Sequence, residues 1–257
     1  MKLVILAGGK GTRISEESTI KPKPLVNIGT KPVIWHIMKI YSFYGINEFI
    51  ICCGYKGYLL KEYFANYFLH NSDVTIDIKN NRVNVHRRNG EDWKVTLVDT
   101  GEDTFTGGRI LRIKKYINED FLMTYGDGVA NINIKELIKF HKKQNKLATM
   151  TVVKPQVRFG VASVNNHNLV NKFSEKPDNE ETWINGGFFV LNKDIFKYLK
   201  NDNSIWEREP LEKLAKDKKL AAFRHRGFWY AMDTIREKKY LDDLWNSGKA
   251  PWKLWNE

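Results

Sequence analysis

Long apolar runs are missing from this chain, and so are basic runs, histidine clusters, internal repeats and low-complexity segments. Of its 257 residues only two are cysteine, and they are neighbours, Cys52 and Cys53. Successive strand residues point to opposite faces, so these two thiols do not form an ordinary bridge. That excludes a disulfide scaffold and suits a reducing compartment. No long apolar segment precedes the first glycines, so neither a signal peptide nor a membrane span fits there. A cytoplasmic protein without a membrane partner is expected. His36 and His141 fall inside helical patterns, and His86, His167 and His225 near loops or strand ends, which gives no metal-ligand spacing. The formal charge is +12, yet no five basic residues stand together, and Lys and Arg are interleaved with Asp, Glu and Asn. Dispersed charge of this kind reads as a solvated surface, so no nucleic-acid partner is expected.

What the chain does have begins at Leu3-Val4-Ile5-Leu6-Ala7, a short run of branched side chains that reads as a buried strand. It ends in Gly8-Gly9-Lys10-Gly11-Thr12-Arg13, and Lys21 and Lys23 follow, each next to a proline. A strand that runs into a glycine loop is where α/β sheets bind ligands. Glycines let backbone N–H groups approach a phosphate that a Cβ would hold away. Hydrophobic content is 42% and charged content 28%, ordinary for a globular chain long enough to bury a large core.

Periodicity then alternates between strand and helix. Thr30-Lys31-Pro32 opens a helix carrying Val33, Ile34, Ile37, Ile40, Tyr41 and Tyr44, and Gly45 stops it. Glu48 to Cys53 reads as a strand, and Lys56 to His70 as one helix. Val74–Ile78 and Arg82–His86 alternate like a hairpin with Asn80-Asn81 as its turn. Lys94–Val98, Phe121–Thr124 and Ala148–Val153 read as strands, and 108–117 and Ile134–Gln144 as helices. Phe159–Val164, Val170–Phe173 and Gly187–Leu191 look like shorter, partly antiparallel strands. Helices are expected at Lys193–Leu199, Pro210–Lys216 and Thr234–Trp245. The rhythm predicts an α/β fold, a Rossmann-like mixed, mostly parallel sheet flanked by helices. A single domain over residues 1–257 is the simplest organisation. About residues 1–130 would form a nucleotide-binding half, and about 131–257 a substrate-binding half with a C-terminal helix and tail.

Two familiar phosphate-binding motifs fail. A dinucleotide fingerprint needs a third glycine and an uninterrupted helix, but the loop from Gly9 reads G-K-G-T-R-I and Pro22 and Pro24 follow. A P-loop would end in G-K-[ST], which is absent. LAGGKGTR with KPKPLV instead resembles the sugar-phosphate nucleotidyltransferases, and the spacer ISEESTIK is similar to that of the cytidylyltransferases among them. The likeness continues through VTLVDTGEDTFTGGR, TYGDGV, RFG, EKP, INGGFFVL, WEREPL, GFWYAMDT and KAPWK, almost the whole chain.

The resemblance implies a nucleotidyltransferase fold with a smaller, β-rich sugar-binding portion. It implies CTP and α-D-glucose 1-phosphate as partners, CDP-glucose and pyrophosphate as products, Mg²⁺ as cofactor, a homo-oligomer, and a role in supplying surface polysaccharide. Such chemistry needs no general base, because a sugar phosphate is already an anion near neutral pH. The obstacle is an anion attacking a polyanion, which positioning and positive charge overcome. By the same resemblance, Leu6, Ala7, Gly8, Gly9, Lys10, Gly11, Thr12 and Arg13 hold the nucleotide, with Arg13 on the phosphates and Lys23 on the α-phosphate. Thr104, Arg109 and Gly126 complete the nucleotide site. Tyr125, Gly160, Glu175, Lys176, Asn185 and Gly186 fall to the sugar phosphate, with Arg158 and Phe159 close by. Asp127 and Asp233 fall to the metal, which makes Arg13, Lys23 and Asp127 the catalytic set. Without the family pattern, Asp127 reads as a turn residue and Asp233 as a helix cap. Trp206, Glu207 and Trp229 fit either the site or the core. A glycosyltransferase on a related sheet would share an acidic metal motif at a strand end but would not need the loop and the proline-flanked lysine. A binding module that had lost catalysis should lack one of the four charged residues.

Overall fold

The computed structural model describes residues 1–11, 17, 19–86, 90–154, 161–166, 168–174 and 182–256. In chain order the strands are β1 (Leu3–Ala7), β2 (Asn27–Ile28), β3 (Lys31–Pro32), β4 (Glu48–Cys53), β5 (Val74–Asp77) and β6 (Arg82–Val85). There follow β7 (Lys94–Asp99), β8 (Phe121–Tyr125), β9 (Gly128–Ala130), β10 (Ala148–Val153), β11 (Val161–Val164) and β12 (Val170–Ser174). The last are β13 (Ile184–Leu191), β14 (Leu220–His225) and β15 (Trp229–Ala231). The α-helices are α1 (Val33–Phe43), α2 (Gly57–Ala65), α3 (Tyr67–Asn71), α4 (Thr106–Arg112), α5 (Ile134–Gln144), α6 (Glu209–Lys216) and α7 (Ile235–Asn246).

Seven strands form the central sheet in the order β14-β10-β13-β8-β1-β4-β7. β1 pairs in parallel with both β4 and β8, β4 with β7, and β10 with β14. β13 runs antiparallel to both of its neighbours, β8 and β10. The sheet is therefore mixed and mostly parallel, as the alternation of strand and helix predicts. Its two faces bury separate cores. Leu3, Ile5, Ala7 and Cys53 pack on one side with α1, and Val4, Leu6 and Cys52 on the other with Ile110 and Trp206. Adjacent cysteines do point apart, and both thiols are free and buried.

Several elements differ from the sequence reading. The helix expected over Lys56 to His70 is divided at Asn66, which closes α2 and precedes α3. Asn is a weak helix former whose side chain competes for local backbone groups. The helix expected over 108–117 is shifted to α4, with a short 3-10 turn at Lys114–Tyr116 behind it. Gly107 and Gly108 lie inside α4 because the Asp202–Ser204 backbone presses on them. A Cβ at Gly108 would sit 2.4 Å from the Asp202 carbonyl oxygen. Pro32 stands at the cap of α1 and no side chain caps that end, so the Thr30 hydroxyl is not used there. Lys193–Tyr198 is a 3-10 helix, and β2, β3, β9, β14 and β15 lie where the sequence pattern predicts no strand, with Lys31–Pro32 in β3 rather than in the helix it was expected to open. Phe159 and His167 fall outside the described residues.

The C-terminal tail folds back on its own chain. Trp252 is fully buried, stacked on Phe228 at 5.5 Å and on Trp245 at 6.4 Å, while Trp255 meets Trp35 edge-on at 5.6 Å.

Candidate active site

The site forms where β1 and β8 end. Ala7 leads into the glycine loop, whose shape is held from outside. The Gly8 carbonyl accepts from the Tyr55 N–H (3.1 Å) and from Arg109 Nη2 (2.9 Å). A Cβ on Gly8 would stand 2.1 Å from the Arg109 guanidinium, so only glycine fits. Gly11 has φ +65, a left-handed conformation that glycine adopts at little cost.

Arg109 is 4% exposed, and its guanidinium is engaged on several sides by protein acceptors. Nη1 donates to the carbonyls of Cys53 (3.3 Å) and Gly101 (2.7 Å) and to the Thr100 hydroxyl (2.8 Å). Nη2 donates to Gly8 and to the Glu102 carbonyl (3.0 Å). This arginine ties the glycine loop to the loop after β7 beneath the cleft. Above it, Lys10 Nζ and Asp103 Oδ1 make an exposed bridge of 3.0 Å between the same two loops.

Lys23 is buried in a 3-10 turn, Lys23–Leu25, that Pro22 and Pro24 stiffen. Its ammonium lies 2.7 Å from Asp127 Oδ2 and 2.6 Å from Asp233 Oδ1. Burial works to lower the Lys23 pKa, but the two carboxylates outweigh it and hold it above its ordinary value. A short ladder explains how aspartates so distant in sequence meet. β9 pairs antiparallel with β15, Gly128 opposite Ala231, and the Met232 N–H donates to the Asp127 carbonyl at 2.9 Å. Asp233 is then fixed by the start of α7, where Thr234 and Glu237 form a capping box and the Asp233 N–H donates to Glu237 Oε2 at 2.7 Å.

On the far side of Asp127 the Tyr125 hydroxyl donates to Glu207 Oε1 (2.5 Å) and accepts from Asn185 Nδ2 (3.4 Å). Burial, and then the neighbouring Glu207 carboxylate, push the Tyr125 phenol far above its ordinary pKa, so it keeps its proton. Trp229 Nε1 donates to the Gly186 carbonyl at 2.7 Å. Trp206 is wholly buried and belongs to the core, whereas Trp229 and Glu207 line the cleft.

The cavity measures about 960 Å³, at the upper end for small-ligand sites. Leu6, Ala7, Gly8, Gly9, Lys10, Gly11, Lys23, Thr104, Arg109, Tyr125, Gly126, Asp127, Asn185, Gly186 and Asp233 all line it. Thr12, Arg13, Arg158, Gly160, Glu175 and Lys176 fall outside the described residues. Among the described residues no group of three His, Cys, Asp or Glu side chains could hold a metal. Two hard carboxylate oxygens do converge on a single cationic atom, which suits an ion that takes its remaining ligands from phosphate and water.

The pattern of a nucleotidyl transferase family model matches residues 2–234. The chain belongs to the nucleotidyl transferase family. Glucose-1-phosphate cytidylyltransferases of Salmonella typhimurium (strain LT2) and Salmonella typhi are each 56% identical to it over 257 residues, spanning 99% of this chain and 100% of theirs. A D-glycero-alpha-D-manno-heptose 1-phosphate guanylyltransferase from Campylobacter jejuni is 30% identical over 224 residues, 86% of this chain and 89% of its own. Nucleotidyl transferases thus share this pattern across different bases. Among solved structures, HddC from Yersinia pseudotuberculosis superposes with a TM-score of 0.68 at 24% identity, over 95% of this chain and 99% of that one, and so shares the fold.

Proposed function

We propose that this nucleotidyl transferase moves CMP from CTP to α-D-glucose 1-phosphate, giving CDP-glucose and pyrophosphate. The observation that carries the reading is the convergence of Lys23, Asp127 and Asp233 at one end of a glycine loop, within a cleft large enough for both substrates. Full-length 56% identity to two cytidylyltransferases supports the choice of base and sugar.

A phosphate oxygen of the sugar phosphate attacks the α-phosphorus of CTP and forms a new P–O bond. The bond from that phosphorus to the oxygen it shares with the β-phosphorus breaks, and pyrophosphate leaves with the electron pair. Backbone N–H groups of the glycine loop cradle the phosphates, and Arg13 extends that cradle. Lys23 places positive charge beside the α-phosphate, where charge rearranges in the transition state. Asp127 and Asp233 would hold Mg²⁺, which when bound neutralises phosphate charge and orients it. Gly160, Glu175, Lys176, Asn185 and Gly186 take the sugar phosphate in this reading. Thr12, Thr104 and Gly126 take the nucleotide. The proposal also carries the homo-oligomer that the resemblance implies and the cytoplasmic location that the two free, buried thiols suit. Among the described residues no helix is long and apolar enough to cross a membrane.

Pyrophosphate release measured across four nucleoside triphosphates and a panel of sugar 1-phosphates tests the reading. CTP with glucose 1-phosphate should give the highest kcat/KM, and a higher value for another pair would replace it. Asp127→Asn and Asp233→Asn should each lower turnover by about a thousandfold or more, since a metal ligand is lost. A variant with unchanged Mg²⁺ dependence would take that residue out of the metal site.

A further inference from the structure

Glu207 has no place in the machinery above, yet its carboxylate is among the most deliberately held groups in the cleft. Oε1 accepts from the Tyr125 hydroxyl at 2.5 Å and Oε2 from the Thr106 hydroxyl at 2.6 Å. Thr106 Oγ1 in turn accepts from the Trp206 N–H at 2.9 Å, and Tyr125 Oη from Asn185 at 3.4 Å. Among the described residues no lysine, arginine or histidine forms a salt bridge with Glu207. It is a carboxylate oriented by hydroxyls rather than neutralised by a cation.

The chemistry of that arrangement is selective. An ionised carboxylate has about four acceptor positions, and the two hydroxyls occupy one on each oxygen. What remains is acceptor capacity on a side chain that lines the cavity. A phosphate would be repelled there. A neutral polyol would be welcome, because each hydroxyl brings a proton to donate. The position agrees. Tyr125 ends β8 and Asn185 lies on β13, one and two strands from β1, whose loop faces the phosphates. The adjoining backbone is cut down to glycine: a Cβ on Gly187 would reach within 2.7 Å of the Tyr125 ring, and one on Gly186 within 2.8 Å of Val153. The exposed Glu207 thus stands at the open side of a wall made by Tyr125, Asn185 and the two glycines.

We propose that Glu207 is a specificity-determining residue for the sugar, its carboxylate accepting hydrogen bonds from hydroxyls of the hexose 1-phosphate. Tyr125 and Thr106 are its positioning residues. The inference rests on the sugar-phosphate reading of this cleft.

Glu207→Gln keeps the size of the side chain and removes the charge and part of the acceptor capacity. With pyrophosphate release followed while each substrate is varied in turn, KM for glucose 1-phosphate should rise about tenfold or more, as for a lost charge-assisted hydrogen bond. KM for CTP should stay within about twofold. Wild type should discriminate against one deoxyglucose 1-phosphate, and Glu207→Gln should lose that discrimination, because the deleted hydroxyl and the changed carboxylate are one interaction. Thr106→Val should move KM for the sugar in the same direction by less, and it serves if Glu207→Gln folds poorly. A rise in KM for CTP instead would place the carboxylate on the nucleobase, and unchanged values for both substrates would make Glu207 a structural tie; either overturns the inference. If wild type prefers another sugar 1-phosphate, the substrate reading is corrected, and Glu207→Gln is judged on the KM of that sugar.

Discussion

Removing the Lys23 ammonium, which stands 2.7 Å from Asp127 and 2.6 Å from Asp233, would leave two carboxylates facing the same small space. Two consequences follow at the scale of this residue. Lys23→Ala should reduce pyrophosphate release by about a hundredfold or more, the usual cost of losing a group aimed at developing charge, while circular dichroism shows an intact fold. Near-normal turnover would remove Lys23 from the chemistry. The second consequence concerns cations. A divalent ion and the ammonium are drawn to the same oxygens, so they compete. Mn²⁺ titrated into the nucleotide-free protein and followed by electron paramagnetic resonance should bind Lys23→Ala about tenfold or more tighter than wild type. Equal affinity would show that lysine and metal do not share the carboxylate pair. None of this competition was visible in the string KPKPLV. The prolines and the preceding glycine loop identified Lys23, but the company it keeps depends on a register between β9 and β15 that neither strand announces.

At the scale of elements, those two three-residue strands and the start of α7 align the catalytic groups. Thr234→Ala should cost about 1 kcal/mol through the lost N-cap, read as a lower urea midpoint with an unchanged m-value. A midpoint equal to wild type would mean that the Glu237 half of the capping box suffices. Elements that carry their own start and stop signals were legible in the sequence. α5 begins after Asn133, whose side chain caps the Glu136 N–H, and ends at Asn145 with φ +48, so both of its expected ends, Ile134 and Gln144, stand. Elements defined by distant partners were not. β9 and β15 make sense only opposite one another, and β14 is an edge strand whose pairing with β10 supplies its order. α4 begins earlier than its apolar pattern suggests because the Asp202–Ser204 backbone demands glycines there. For the site the division is similar. Cleft-lining residues inside compact motifs could be named in advance, whereas the Arg109 tie between loops and the Tyr125–Glu207–Thr106 chain arise from tertiary contact alone.

At the scale of the whole molecule, the C-terminal tail brings Trp252 against α1, where its indole donates to His36. Trp252→Ala should destabilise the protein by about 3–5 kcal/mol through lost burial and the cavity left behind, checked by denaturant unfolding; a loss under about 1 kcal/mol would mean that the tail is dispensable. The same junction contains a pH dependence. His36 is fully buried, its Nε2 3.0 Å from the Ile28 carbonyl and its Nδ1 3.4 Å from Trp252 Nε1. The indole can only donate, so Nδ1 accepts, and the neutral ring carries its proton on Nε2. A second proton on Nδ1 would oppose the indole N–H in a desolvated site. Burial accordingly brings the His36 pKa down from 6.5 to about 4; backbone groups of Ile28 and Lys31 and the Asp242 carboxylate resist that fall, and the charge of the Lys31 ammonium adds to it. Between those two values the unfolded chain binds a proton that the folded chain refuses, so acid favours unfolding. The stability His36 contributes is complete above about pH 6.5 and drains away as pH falls towards 4, a loss on the order of 3 kcal/mol over the window. Many carboxylates titrate nearby, so the measurement is a difference: unfolding free energy of wild type minus that of His36→Gln, taken from pH 7.5 down to 4.5. That difference should shift against wild type as the pH is lowered, and a constant value would show that His36 takes up no proton on unfolding.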